Sequence, residues 1–235
     1  MIDDFETLDR DRWLPHYLPH WSSREESAAT WSVADSVLEL SIPADQGLWC
    51  PDTHAEPLRV SGVQSGAFSG QQPFLDGQEV VSEEPLWVGW APAGGRVEVR
   101  ARMELSPRSM ASVWMVGLED SPERCGEICV FEIFGRTLDH RGVEVGQGVH
   151  PFRDPALVDD FEAPLRDLDP HDWHDYAIDW HDDRVDFLID GAAVRTVDQS
   201  PDYPMQIIAA VFDFPDWPGL PEHVPVLEID RLEAR

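Results

Sequence analysis

Apolar and polar residues alternate with a period of two along much of the chain. Val97, Val99, Ala101, Met103 and Leu105 interleave with Glu98, Arg100, Arg102 and Glu104, which predicts a strand with one face in a core. Leu38, Leu40 and Ile42 alternate with Glu39 and Ser41 after the turn residues Ala34, Asp35 and Ser36. Val185, Phe187 and Ile189 run into Asp190-Gly191, a dipeptide suited to a type I′ turn, and Val194 to Val197 can return as the partner strand. Residues 112–118 and 205–212 are apolar at both parities, as expected of central strands covered on both faces. No stretch joins a helical period to both caps over three turns. The pattern predicts an all-β fold of two packed antiparallel sheets, a β-sandwich or jelly roll. No repeat or linker divides the chain, so one domain over residues 1–235 is expected.

Composition narrows the partners. The chain carries 46 acidic and 17 basic residues for a net charge of −29, and every basic residue is Arg. Scarce, scattered cations exclude a nucleic-acid-binding surface, and the charge repels polyanions, so neutral partners are favoured. With 42% hydrophobic residues and ten Trp the chain can bury a large core, unlike an acidic disordered segment. No apolar run is long enough to span a membrane. The start, Met-Ile-Asp-Asp-Phe-Glu-Thr, lacks a basic region and an apolar run, so no signal peptide and a cytoplasmic address are expected. Cys50, Cys125 and Cys129 leave at least one thiol unpaired and match no zinc-finger spacing.

The stretch Cys125-Gly126-Glu127-Ile128-Cys129-Val130-Phe131-Glu132-Ile133-Phe134-Gly135 places two carboxylates inside an otherwise apolar strand. Regular alternation would put Glu127 and Cys129 on one face and Glu132 on the other. A β-bulge at Val130-Phe131 adds one residue and returns Glu132 to the face of Glu127. At ~3.3 Å per residue the two α-carbons then lie ~13 Å apart, and side chains leaning together leave ~5 Å between carboxyls. That is near the ~5.5 Å of a retaining glycosidase pair and short of the inverting range.

These residues resemble the Glu-x-Asp-x-x-Glu signature of glycoside hydrolase family 16, the laminarinase, lichenase and agarase group. Four further segments are similar to family strands and keep the family's order. They are Gly94 to Arg102, Val113 to Val116 with Trp114, Trp173 to Trp180, and Val185 to Gly191. The resemblance implies a concanavalin A-like jelly roll with a cleft on its concave face and a monomer acting on a carbohydrate. It implies Glu127 as nucleophile and Glu132 as general acid/base of a double displacement on a neutral β-linked glycan. Cys129 stands where the family has Asp, so the third charge is absent and a thiol, a weak hydrogen-bond partner, takes its place. That departure keeps a non-catalytic or weakly active sugar-binding jelly roll open as an alternative. Transglycosylation through the same intermediate is another. Thiol catalysis by Cys129 is disfavoured, because no His is near it in sequence.

The resemblance also suggests substrate-binding roles. Trp114 would floor the subsite beside the cleaved bond, or else pack in the core. His150 would sit near the cleaved sugar, or else be a loop residue. Trp217, in a Pro-rich loop after a central strand, would be a sugar platform at the cleft edge or a cap on the core. His174 shares parity with Tyr176, Ile178 and Trp180 and is expected to be a satisfied structural residue, and His171 and His174 are not expected to hold a metal. A structural calcium ion of the family type could draw on Asp3, Asp4, Glu228 and Asp230. With so many acidic residues such adjacency arises by chance, so the expectation is no metal and no cofactor.

Overall fold

A computed structural model of the chain describes residues 1–74 and 77–235. Two antiparallel sheets dominate it. The first runs, edge to edge, through Ala192–Val197, Val185–Ile189, His174–Trp180, Gly95–Glu104, Val226–Ala234, Val37–Ser41 and Thr30–Ala34, and Ile2–Asp3 also pairs with Val226–Ala234. The second runs through Asp160–Glu162, Val143–His150, Glu127–Phe134, Ser109–Gly117, Met205–Asp213 and Arg59–Gln64, and Leu165–Arg166 also pairs with Val143–His150. Regular helix is confined, among the described residues, to two short 3₁₀ turns, Pro19–Trp21 and Gly135–Thr137. None is long and apolar enough to cross a membrane.

The alternation sorts side chains as the sequence predicts. Val97, Val99, Ala101 and Met103 face the core between the sheets, where they meet Ala111, Val113, Met115, Ile128 and Ile133. The opposite face of Gly95–Glu104 is polar, and its arginines find acids on the same strand and on neighbouring ones. Arg102 takes both oxygens of Glu228 at 2.6 and 3.0 Å, Arg100 bonds Asp230, and Arg96 bridges Glu98 and Asp179. Arg100 and Arg102 also lie over the Trp173 ring. Asp190 and Gly191 have φ of 50° and 75°, the positive pair a type I′ turn requires.

Met205–Asp213 is buried at every position. Ile207, Ala209 and Val211 join the core between the sheets, while Ile208, Ala210 and Phe212 join a second apolar cluster on the far face of the second sheet. Tyr17, Trp21, Trp49, Cys50 and Leu58 complete that second cluster, brought there by segments that cross the sheet without joining it. Tyr17, Trp21 and Leu58 of this cluster line the cleft described next.

Candidate active site

Glu127–Phe134 carries the bulge. Glu127, Ile128 and Cys129 pair with Val116, Met115 and Trp114, and then the register slips so that Phe131 and Glu132 pair with Val113 and Ser112. The same slip occurs on the other side, where Cys129 faces Gly148 and Glu132 faces Gly146. Val130 is the extra residue, and both Val130 and Phe131 point into the core between the sheets. Neighbouring strands satisfy the two carbonyls at the irregularity. Gln147 Nε2 donates to the Val130 oxygen at 2.9 Å, and Ser112 Oγ donates to the Phe131 oxygen at 2.9 Å. Glu127 and Glu132 therefore emerge on the same face, and both line one cleft of ≈ 280 Å³.

Two glycines let the surroundings close on this strand. Gly148, opposite Cys129, has φ of +155°, and a β-carbon there would lie 2.2 Å from the Asp160 carbonyl oxygen. Gly126 opens the strand, and its N–H donates to the Tyr203 hydroxyl at 2.7 Å, which in turn donates to Asp154 at 2.7 Å. A β-carbon at Gly126 would lie 2.6 Å from that hydroxyl.

Cys129 is fully buried beneath the cleft floor, between the two acids. Its Sγ lies 3.1 Å from Glu127 Oε1 and 4.0 Å from Glu132 Oε1. The two oxygens are thus within about 7 Å of each other, a limit that includes the ~5.5 Å of a retaining pair. Burial, and then the charges of Glu127 and Glu132, push the thiol well above its ordinary range. The sulfur therefore keeps its proton and donates it to Glu127. Burial also raises the Glu127 carboxyl, opposed by that hydrogen bond and by the nearby His150. Glu132 is pushed up to about 7, first by burial and second by the charge of Glu127, with His150 opposing. Burial thus shifts both carboxyls toward their protonated forms, and the charge of Glu127 adds to the shift at Glu132 whereas the Cys129 donor opposes it at Glu127. The donor on one acid and the added repulsion on the other bias the pair toward the unlike states that nucleophile and general acid require.

Aromatic side chains line the rest. Trp114 is 8% exposed and lines the cleft beside Tyr17, at 6.2 Å between ring centroids, and Phe212, at 6.1 Å. Its position serves both readings of the residue, a packed ring with one edge open to the groove. At the Gly117 end of the floor Glu119 pairs with Arg153 and accepts the Gln72 N–H at 3.0 Å. At the Ser109 end Phe214 lines the cleft, and Trp217 stacks on it at 4.1 Å and 14°. Arg136 lies 4.4 Å over the Trp217 ring. Trp217 is therefore sandwiched, behind Phe214 rather than in the lining.

His150 pairs in register with Glu127. Its Nδ1 is 2.6 Å from Asp159 Oδ1, and its ring stacks on Phe161 at 4.9 Å between centroids. His174 is held by Asp190 at 2.8 Å and the Asp169 carbonyl at 3.1 Å, as a structural residue would be, and His171 bonds Asp169. Three of the four carboxylates considered for calcium have other partners. Asp3 accepts from Trp13 Nε1 at 2.8 Å and from the Phe5 N–H at 3.0 Å, while Glu228 and Asp230 pair with Arg102 and Arg100.

Sequence reasoning missed Tyr17, Gln147, Ser112 and Asp159. Tyr17 sits in Pro15-His16-Tyr17-Leu18-Pro19, where flanking prolines mark a fixed loop but no period marks a direction. Gln147 looks like an ordinary polar residue of a strand until the bulge gives it a carbonyl to hold.

A two-sheet antiparallel sandwich with paired carboxylates on an aromatic groove is the framework of the jelly-roll glycosidases. The chain belongs to family 16 of the glycosyl hydrolases, whose sequence profile matches residues 91–223. It is similar to the GlcNAcα1-4Gal-releasing endo-β-galactosidase from Clostridium perfringens, with 26% identity and a TM-score of 0.87, covering 99% of this chain and 61% of that one. The chain thus spans about three fifths of that enzyme's length. The catalytic domain of an endo-1,3-β-glucanase (laminarinase) from Thermotoga petrophila shares the fold at 17% identity and a TM-score of 0.67, covering 99% of this chain and 94% of that one. So does a Bacillus licheniformis β-glucanase, at 14% identity and 0.65, covering 99% and 95%. No curated protein sequence matches the chain.

Proposed function

We propose that the chain is a retaining, endo-acting glycosidase of neutral β-linked glycans, with Glu127 as nucleophile and Glu132 as acid/base. In the first step a Glu127 oxygen bonds to the anomeric carbon as the bond to the glycosidic oxygen breaks, and that oxygen takes the proton of Glu132. A covalent glycosyl-enzyme and a free sugar result. In the second step Glu132, now ionised, takes a proton from water, whose oxygen bonds to the anomeric carbon and displaces Glu127 as carboxylate. A sugar hydroxyl in place of water gives transglycosylation. Trp114 and Tyr17 would support the sugar faces. The observation that carries this reading is the Cys129 sulfur lying 3.1 Å from one acid and 4.0 Å from the other on a single cleft wall.

Likeness to the endo-β-galactosidase exceeds likeness to the glucanases, 0.87 against 0.67 and 0.65 in TM-score, which favours a β-galactoside over a β-glucan at the cleaved position. The net charge of −29 favours uncharged chains over sulfated or uronic polymers. Cys129 supports a second reading, a groove that holds sugar without cutting it. A panel of β-galactoside oligosaccharides, laminarin, mixed-linkage glucan, agarose and xyloglucan, read by mass spectrometry, separates the two. Cleavage by wild type and none by Glu127→Gln is expected. Equal cleavage by both proteins refutes the assigned roles, and binding without turnover, even in Cys129→Asp, identifies a sugar-holding module.

A further inference from the structure

Glu127, Cys129 and His150 form a set whose grouping as three ligands the proposed hydrolysis does not use. One ligand atom from each, a carboxylate oxygen, the sulfur and a ring nitrogen, all lie within 4.8 Å of one another. The set follows from the sheet. Cys129 is two residues from Glu127 on the same face, and His150 pairs with Glu127 across the ladder. Asp159 engages His150 Nδ1 at 2.6 Å, and no hydrogen bond to Nε2 is found among the described residues, which leaves its lone pair available. A carboxylate behind a ligating imidazole is the usual support of a metal-bound His, since it fixes the tautomer and raises the basicity of the other nitrogen. Phe161, stacked on the ring, fixes its plane.

We propose that these three residues bind a thiophilic divalent cation such as Zn²⁺, and that the bound ion blocks the enzyme. Sulfur, imidazole and one carboxylate match a borderline-soft metal in four-coordination, with the fourth position open to the cleft, and do not suit calcium or magnesium, which take six or more oxygens. On binding, the S–H bond breaks, its proton leaves to solvent and a sulfur–metal bond forms, with no change of oxidation state. A dication beside a thiolate and a carboxylate leaves the buried group neutral, and a protein of charge −29 concentrates cations at its surface. The Glu127 lone pair then lies in a metal bond and is withheld from the anomeric carbon. Binding rests on the geometry alone, and only the block rests on the function proposed above.

Cobalt reports a sulfur ligand directly. Chelator-treated protein titrated with Co²⁺ should develop a thiolate-to-cobalt charge-transfer band at one equivalent, displaced by Zn²⁺. Cys129→Ser, nearly isosteric, should abolish the band, and a Cys50→Ser, Cys125→Ser double variant should keep it. Asp159→Asn should weaken cobalt binding about tenfold while His150 remains a ligand. Zn²⁺ should inhibit turnover of the best substrate, and a chelator should restore it. Absence of the band in wild type, or its persistence in Cys129→Ser, overturns the proposal. A band in a protein that cleaves no glycan upholds the metal site and defeats the hydrolytic reading. Cleavage without a band does the reverse.

Discussion

Glu132→Gln removes a carboxyl that the fold holds against its natural ionisation. The folded pKa of about 7, against 4.5 for a free glutamate, means that the native state keeps a proton the unfolded chain has given up. Between those two values the unfolded chain binds fewer protons than the native one, so stability falls as pH rises. Below about 4.5 both states are protonated and the cost vanishes, and above about 7 it is fully present. At about 1.4 kcal/mol per unit of pKa, the cost levels off at about 3 kcal/mol. Glutamine has the same shape and no charge, so the variant should match wild type at pH 4 and exceed it by up to about 3 kcal/mol at pH 8. In a chain of this length that is about 6–12 °C in Tm. Thermal and denaturant unfolding at both values, followed by circular dichroism, measure the gap. An equal gap at pH 4 and pH 8, or a less stable variant at pH 8, would refute the burial of an ionisable acid at this position.

The same pKa governs activity. With glycan saturating neither state, kcat/KM should fall as pH rises through about 7, where Glu132 loses the proton it must give the leaving oxygen, and a profile still rising at pH 8 would contradict the acid role. Cys129→Asp places an acid between two carboxylates, where burial and like charge keep it protonated. Its O–H is a stronger donor to Glu127 than S–H, and kcat should rise about tenfold, about 1.4 kcal/mol, while Cys129→Ala should lower it. Slower turnover in Cys129→Asp than in wild type would count against the thiol as a weak substitute. Gln147→Leu leaves the buried Val130 carbonyl unpaired, so it should cost about 1–3 kcal/mol in urea unfolding and lower kcat with little change in KM. Unaltered stability would mean that the bulge holds itself.

Much of the layout was legible because strands report their burial by parity. The Gly95–Glu104 alternation, the doubly apolar Met205–Asp213 and the Asp190-Gly191 turn each follow from local chemistry. The bulge was legible for a related reason: two glutamates at odd spacing in an apolar strand are costly unless the spacing is corrected. What supports the bulge was not legible. Gln147 and Ser112 act on carbonyls of other strands, and their side chains show no partner until the strands are aligned. The source of the Glu132 shift was only half visible. Repulsion from Glu127 follows from the motif, whereas burial, the larger cause, depends on rings such as Tyr17 that arrive from segments without a period. Trp217 shows the limit of composition: an aromatic in a loop suggests an open platform, but its two faces are occupied by Phe214 and Arg136.

The arginines of the first sheet are spent on their own acids, Arg102 on Glu228, Arg100 on Asp230 and Arg96 on Glu98 and Asp179. Few cations remain to draw a ligand from a distance, so encounter with an uncharged glycan proceeds without long-range steering, at the ~10⁵–10⁶ M⁻¹s⁻¹ of unassisted association. Its rate should be indifferent to ionic strength. A sulfated glycan of the same backbone would meet a repulsive field reaching about 10 Å at 0.1 M salt, and adding salt should quicken its capture. Stopped-flow binding of a matched neutral and sulfated pair from roughly 0.05 to 1 M NaCl, over which the screening length shortens about 4.5-fold, would show one flat and one rising curve.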